Sequence, residues 1–314
     1  MLPTRQGSIR LFRLAGIDVF LHWSWFLMAI YQLQARGERN LPLGWRALEY
    51  VSLFGIVTLH EFGHAFACRQ VGGRANQIFL WPFGGVAFVS PPQRPGAILW
   101  SIAAGPLVNV ALIPLFAGLV LLAGYSGWAD SHPAFDRFLT DILKLNVGLL
   151  IFNLLPIYPL DGGQILWSLL WFVIGKARSL MVTVVIGFGG VVVLGVITYL
   201  AQEPILWLMV AFVLLSCWRG LLQARFLAKL AKFPRREGFA CPACHEPPIA
   251  APIWICQKCR ARFDMFESNA FCPNCNTHFP TVTCLECGES RPMPDWRTAG
   301  FTPTPPPLPG MFQT

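Results

Sequence analysis

The feature that most constrains this chain is a series of apolar runs, each near or beyond the roughly 18–20 residues that a helix needs to cross a bilayer. They fall near residues 18–35, 48–68, 97–124, 140–156, 179–201 and 204–222. Composition agrees. Of the 314 residues, 54% are apolar and 13% charged, whereas a soluble domain carries about twice that charge. Lipid rather than water is therefore the expected solvent for most of the chain. The net charge of +8 sits mainly beside the apolar runs, which argues for membrane orientation signals over a nucleic-acid surface. Residues 163–175 are apolar but short, and read as an interfacial or partly inserted helix. The first run follows Arg5, Arg10 and Arg13. No small-residue cleavage site succeeds it, so it reads as a retained span rather than a removed leader.

Basic residues set the expected orientation. Residues 69–96 hold Arg69, Arg74 and Arg94 without an acid, Lys176 and Arg178 mark a second basic turn, and Arg219, Arg225, Lys229, Lys232, Arg235 and Arg236 follow the last run. These places read as cytoplasmic. The stretch 125–141, with Asp130, Asp136 and Asp141 against Arg137, reads as external. Six spans with both termini cytoplasmic, in an inner or plasma membrane, satisfy this alternation. Arg36, Arg39 and Arg46 oppose it, because they match the three N-terminal arginines, so the first run alone does not settle orientation.

The expected organisation is a cytoplasmic N-terminal segment 1–17, a membrane core 18–222, a basic amphipathic linker 223–240, a cysteine-rich double zinc-ribbon region 241–290 and a proline-rich tail 291–314, disordered or extended. In the linker, Leu222, Phe226, Leu227 and Leu230 recur at helical spacing among the cations. It reads both as an extension of the last helix and as a surface for anionic headgroups. The expected fold class is an all-α polytopic membrane protein with about six transmembrane helices and a short β-hairpin over 78–89, plus a small zinc-ribbon β module.

Inside the run from Val51 to Cys68 lies Thr58-Leu59-His60-Glu61-Phe62-Gly63-His64. On a helix, positions i and i+4 share a face about 6 Å apart along the axis, so two imidazoles there reach one zinc ion. Glu61 stands beside them, placed to take a proton from a water molecule. Burying two histidines and a glutamate in an apolar run is costly and rarely idle. A catalytic zinc needs a third protein ligand. Asn153-Leu154-Leu155-Pro156-Ile157-Tyr158-Pro159-Leu160-Asp161-Gly162-Gly163 supplies a candidate. Its prolines break the helix and its glycines permit a tight turn, and an unwound segment at membrane depth must be buried in protein or line a cavity. Asp161 is then either the third ligand or an N-cap for 163–175; ligation is the favoured reading. His22 reads as a hydrogen-bonded residue rather than a fourth ligand.

These two motifs together resemble the site-2 protease family of intramembrane zinc metalloproteases. Ile78 to Val86 and Gly105-Pro106-Leu107-Val108-Asn109 are similar to internal segments of that family, and the resemblance covers roughly residues 15–225. It implies a zinc metalloendopeptidase acting on transmembrane or membrane-associated proteins in regulated intramembrane proteolysis, with zinc on His60, His64 and Asp161 and Glu61 as general base; the alternative is a catalytically inactive membrane scaffold or adaptor acting through its zinc ribbons. It implies a place for Asn153 near the reacting carbonyl, where the alternative is an interhelical hydrogen bond. Phe83, Gly84, Gly85 and Asn109 are the expected substrate-binding residues. A transmembrane substrate must be locally extended before cleavage. The 78–89 hairpin either pairs with it by strand addition or merely shields the site.

Outside the resemblance, Cys241/Cys244, Cys256/Cys259, Cys272/Cys275 and Cys284/Cys287 form four Cys-x-x-Cys pairs. That spacing suits two structural Cys₄ zinc sites in a reducing compartment, for three zinc ions in all. Sequential pairing gives two consecutive ribbons, and interleaved pairing is the alternative. Lys258, Arg260 and Arg262 are opposed by Glu246, Asp264, Glu267, Glu286 and Glu289. The expected partner is therefore a regulatory protein rather than nucleic acid. Cys68 and Cys217 read as small buried residues.

Overall fold

The computed structural model describes residues 7–35, 42–81, 84–202 and 204–298. The expectations placed on Arg36, Arg39, Pro82, Phe83 and the end of the proline-rich tail lie outside these residues. The chain divides into two units, Met1–Ala228 and Lys229–Thr314.

The first unit is mainly helical. In chain order it contains β1 (Ser8–Leu14), β2 (Ile17–His22), α1 (Ser24–Ala35), α2 (Leu43–Gln70), β3 (Arg74–Trp81), β4 (Gly84–Ser90), α3 (Pro95–Tyr125), α4 (Trp128–Ser131), α5 (Pro133–Leu154), α6 (Asp161–Ile174), α7 (Lys176–Ala201) and α8 (Pro204–Leu230). Among the described residues, α2, α3, α7 and Leu206–Leu230 of α8 are long and apolar enough to cross a membrane. The 28 residues of α2 extend about 42 Å. The run at 140–156 is the second half of α5, and 163–175 is the separate helix α6.

Residues 18–35 are not one span, contrary to the sequence reading. They are strand β2 followed by the 12-residue helix α1. In β2, Ile17 and Val19 are buried on one face while Asp18 on the other pairs with Arg10. Alternation of this kind disappears in a hydropathy average. The expected 78–89 hairpin is present as β3 and β4, paired from Arg74↔Ser90 to Trp81↔Gly84. It is part of a larger sheet of order β1-β2-β3-β4, in which β2 runs parallel to β3.

The sheet packs on one face of α2. Ile17, Val19, Ala75, Ile78 and Leu80 form a core with Val57, Phe62, Ala65 and Cys68. Arg69, in the last turn of α2, fastens the join by donating from Nε to the Ala75 carbonyl at 2.9 Å and from its terminal nitrogens to Ala15 and Gly16. An adjacent face of α2 meets α3 almost backbone to backbone. A Cβ at Gly63 would stand 2.7 Å from the Ala104 carbonyl oxygen and 2.8 Å from Val108 Cγ2. Small residues permit such approaches between apolar helices, where dispersion rather than water expulsion holds the pair.

The second unit is built from four copies of one turn. In each, the amide four residues after the first cysteine donates to that cysteine's carbonyl: His245 to Cys241, Arg260 to Cys256, Asn276 to Cys272 and Gly288 to Cys284. All four donors have positive φ, from 52° to 75°. Two-residue ladders pair β5 (Trp254–Ile255) with β6 (Arg262–Phe263) and β7 (Val282–Thr283) with β8 (Ser290–Arg291). Phe239, Phe263, Phe266 and Trp296 fill the core between them. Arg235 and Arg236, read from sequence as headgroup-facing, are instead consumed here. Arg235 pairs with Glu286 at 2.8 Å and Arg236 with the buried Asp264 at 2.6 Å.

The α2–α3 contact yields a paired test. Gly63→Ala forces the helices apart and should cost about 1–3 kcal/mol, read as a lowered melting temperature in detergent. Gly55→Ala, where a Cβ meets nothing within 4 Å, should match or exceed the parent. Equal melting of the two variants would refute the close approach.

Candidate metal centre

Helix α2 carries His60, Glu61 and His64 in its buried C-terminal half, each 5% exposed or less. Their spacing divides them between its two packed faces. His60 and His64 point to α3, and Glu61 points to the sheet.

On the α3 side, His64 Nδ1 lies 2.9 Å from the Ser101 carbonyl oxygen. A carbonyl only accepts, so Nδ1 carries the proton and Nε2 presents a lone pair. His60 Nδ1 lies 2.5 Å from Asn109 Oδ1, which holds the second ring in the same sense. The two Nε2 atoms then face each other at 3.0 Å, and Asp161 Oδ2 closes the triangle at 3.0 Å from His60 Nε2 and 3.4 Å from His64 Nε2. Three electron-rich atoms this close repel one another unless a cation lies among them. Ligands held ~2.0–2.1 Å from a tetrahedral zinc are roughly 3.3 Å apart, so the donor set and spacing fit that ion. Gly105 of α3 forms the wall: a Cβ there would stand 2.3 Å from His64 Nε2 and 2.8 Å from His60 Nε2.

Asp161 is the first residue of α6, one past the N-cap Leu160, and its Oδ2 hydrogen-bonds His60 Nε2 at 3.0 Å. Its carboxylate is turned to the histidines, which resolves the competition between capping and convergence in favour of the latter. The break before it packs tightly on itself. A Cβ at Gly162 would fall 2.2 Å from the Leu154 carbonyl oxygen, and one at Gly163 would fall 2.6 Å from Ile157 C. Glycine is thus required at both places by close approach.

On the sheet side, Glu61 Oε2 accepts the Ala87 backbone N–H at 2.8 Å. Gly85 lies directly against the carboxylate, and a Cβ there would be within 2.5 Å of Glu61 Oε1. Of the expected substrate-binding residues, Gly84 and Gly85 both lie on β4, and Gly85 stands against the glutamate while a Cβ at Gly84 would meet nothing within 4 Å. Asn109 does not fit that role. It is 0% exposed, and its amide is spent on His60 and on Asn146 of α5. Asn153 stands half-buried on the last turn of α5 and makes no hydrogen bond to His60, Glu61, His64 or Asp161. His22 bonds Ser24 Oγ at 2.5 Å through Nδ1. The sequence reading missed Ser101 and Asn146. Asn146 did carry a signal, as a polar amide about two turns before Asn153 in the apolar half of α5.

In the second unit the cysteines gather into two groups, but in neither expected pairing. Cys241 and Cys244 meet Cys284 and Cys287, with Sγ pairs at 3.6 and 3.7 Å. Cys256 and Cys259 meet Cys272 and Cys275, with pairs at 3.6 and 3.5 Å. The arrangement is nested: the outer group encloses the inner one in sequence. Sulfurs at ~2.3 Å around a tetrahedral zinc are roughly 3.8 Å apart, so both groups fit. The Thr277 hydroxyl and amide hold the Cys275 thiol down to about 6, toward the thiolate that a metal takes.

A family model described as Peptidase family M50 matches residues 49–143 and 127–197. The chain is 34% identical over 206 residues to a zinc metalloprotease of Methanocaldococcus jannaschii, covering 66% of this chain and 58% of that protein. It is also 34% identical over 119 residues to the stage IV sporulation protein FB of Bacillus subtilis, covering 36% of this chain and 37% of the other. It thus spans about half the length of these relatives. Among solved structures, the site-2 protease from Methanocaldococcus jannaschii is similar with a TM-score of 0.51 and 27% identity, over 68% of this chain and 95% of that one.

Two measurements follow. Gly105→Ala places a methyl among the ligand atoms and should remove one metal per chain by elemental analysis, leaving the cysteine-bound metals in place. The nested groups predict that Cys244→Ser/Cys284→Ser loses one metal, whereas Cys244→Ser/Cys272→Ser loses two. Sequential pairing predicts two lost in the first case, so the pair of double variants separates the topologies.

Proposed function

We propose, from the premise that this chain belongs to peptidase family M50, the site-2 protease family, that it is an intramembrane zinc metalloendopeptidase cleaving membrane-embedded protein substrates. The chain is an integral membrane protein, with four helices among the described residues long and apolar enough to span. The observation that carries the reading is the convergence of His60, His64 and Asp161 from α2 and α6 with Glu61 on the adjoining face. Among polar groups so deeply buried, such geometry has little structural purpose. Zinc, when bound by the three ligands, supplies Lewis acidity, which polarises a carbonyl and lowers the pKa of water toward neutrality.

The residues then divide the work. Glu61 takes the proton of the attacking water and returns one to the leaving amine. Its hydrogen bond from Ala87 keeps one carboxylate oxygen oriented and leaves the other for that exchange. Strand β4 is an edge of the sheet, and its Ala87 N–H points to Glu61. A substrate unwound into extended form and added along that edge lies beside the base. This geometry supports strand addition over simple shielding. Gly84 and Gly85 let the substrate backbone approach without side-chain obstruction. Asn153, on the turn before the break, is assigned to hold the substrate or its oxyanion in the loaded complex.

The remaining assignments rest on the same premise. Three zinc ions per chain are expected, one on the His/Asp set and two on the nested cysteine groups. The core and the cysteine unit are separate domains, joined where α8 ends, with both termini cytoplasmic. The cysteine unit takes a regulatory protein. The unit's consumed arginines support this over nucleic acid, because ion pairing to Glu286 and Asp264 removes two of its cations from phosphate contact.

Glu61→Gln is the decisive variant. It keeps the shape and hydrogen bond of the side chain but removes the base, and should lower cleavage by about 10²–10⁴-fold with metal content and melting unchanged. Quantitative mass spectrometry of membranes from cells expressing the parent or the variant should show full-length substrate accumulating with the variant alone. Identical proteomes would contradict the enzymatic reading.

A further inference from the structure

Asn146 sits in the middle of α5, away from both motifs that define the catalytic set, and it is 0% exposed. Its amide makes two hydrogen bonds to one residue of α3. Asn146 Nδ2 donates to the Asn109 backbone carbonyl at 3.0 Å, and Asn146 Oδ1 accepts from Asn109 Nδ2 at 2.8 Å. Asn109 Oδ1 then faces His60 Nδ1 at 2.5 Å.

The direction of this chain is not arbitrary. An amide side chain can turn over and exchange its donor with its acceptor, and an imidazole can carry its proton on either nitrogen. A backbone carbonyl has no such freedom, since it only accepts. The Asn109 carbonyl therefore compels Asn146 to present Nδ2 to it, which leaves Asn146 Oδ1 for the Asn109 side chain. Asn109 must answer with Nδ2, which turns its Oδ1 to His60. His60 must then carry its proton on Nδ1 and show the Nε2 lone pair to Asp161 and His64. Reversing any link sets two acceptors or two donors against each other in a buried site, at a cost of roughly 1–3 kcal/mol per unmade bond.

We infer that Asn146 is a positioning residue for the zinc site: it locks the Asn109 amide and, through it, the metal-ready tautomer of His60. His64 needs no such device, because its Nδ1 meets the Ser101 carbonyl directly. The two ligands of α2 are thus oriented by main-chain carbonyls of the same helix, α3, one directly and one through a two-amide relay closed by α5. The inference rests on the zinc reading of His60, His64 and Asp161.

The test uses the full-length protein and reads metal before activity. Asn146→Leu is close in size but ends the relay. Zinc on the histidine site should be stripped by a chelator about 10–100-fold faster than in the parent, while the cysteine-bound zinc of the same molecules serves as internal standard. Activity should fall through kcat with KM unchanged. Asn146→Asp separates polarity from packing. Buried without a counter-charge, its carboxyl is neutral; the O–H donates to the Asn109 carbonyl and the C=O accepts from Asn109 Nδ2, so zinc retention should stay near the parent's. Thr183→Val, at a 0% exposed hydroxyl on α7, controls for loss of a buried polar group and should leave zinc retention unchanged. Parental retention in Asn146→Leu, or equal zinc loss in the Leu and Asp variants, overturns the relay while leaving the zinc site standing. A parent whose only zinc is the cysteine-bound pair overturns both.

Discussion

Everything at the candidate active site depends on how closely α3 can approach α2. The Gly63–Ala104 contact sets the two backbones within side-chain-free distance, and three consequences follow from that one approach. The Ser101 carbonyl comes within reach of His64, Asn109 comes within reach of His60, and Gly105 becomes the floor under both Nε2 atoms. A methyl at either glycine would lengthen all of these distances together. Helix α3 thus contributes no ligand, yet it decides where two of the three ligands point.

The spacing of the α2 motif acquires meaning from what surrounds the helix. Positions 60, 64 and 67 follow one another down the α3 face, and positions 57, 61 and 68 down the sheet face. The neighbouring Glu61 is turned about 100° from His60, into contact with β4 at Ala87 and Gly85. Adjacent residues in sequence are thereby given different neighbourhoods: the ligands face a helix that orients them, and the base faces a strand edge. Arg69, two turns further along α2, ties the sheet to that same helix through three carbonyls. The position of β4 over Glu61 is therefore fixed by side-chain contacts as well as by the chain that joins the two elements.

Much of this was legible from the chain, and the failures have physical causes. His60, Glu61 and His64 were readable because their relation is local and set by helical geometry. Asp161 was readable because a proline-broken, glycine-rich turn inside an apolar region leaves a carboxylate few other uses. Strands β1 and β2 were missed because a strand buried on one face and an apolar helix give the same average hydropathy, and only the Ile17/Asp18/Val19 alternation distinguishes them. Asn109 was assigned to substrate because a motif does not reveal which way a side chain faces; its 0% exposure gives it to His60 instead. Arg235 and Arg236 looked like headgroup-facing cations because their acidic partners, Glu286 and Asp264, lie far along the sequence.

The nested cysteine pairing was beyond the sequence for a related reason, since four equivalent knuckles carry no label of partner. Chain entropy nevertheless ranks the two groups once the pairing is known. The inner group closes the stretch between Cys259 and Cys272, the outer group the stretch between Cys244 and Cys284, with separations of 13 and 40 residues. Closing the longer loop in an unfolded chain costs roughly 1 kcal/mol more. Once the inner group is closed, that penalty shrinks, because the intervening chain is already folded back on itself. The inner group is therefore the one able to form alone, and the outer group gains from its presence. The outer group is also the one tied to the segment following α8, since Glu286, between Cys284 and Cys287, holds Arg235. Closure of the outer group thus ties the start of the unit to its end.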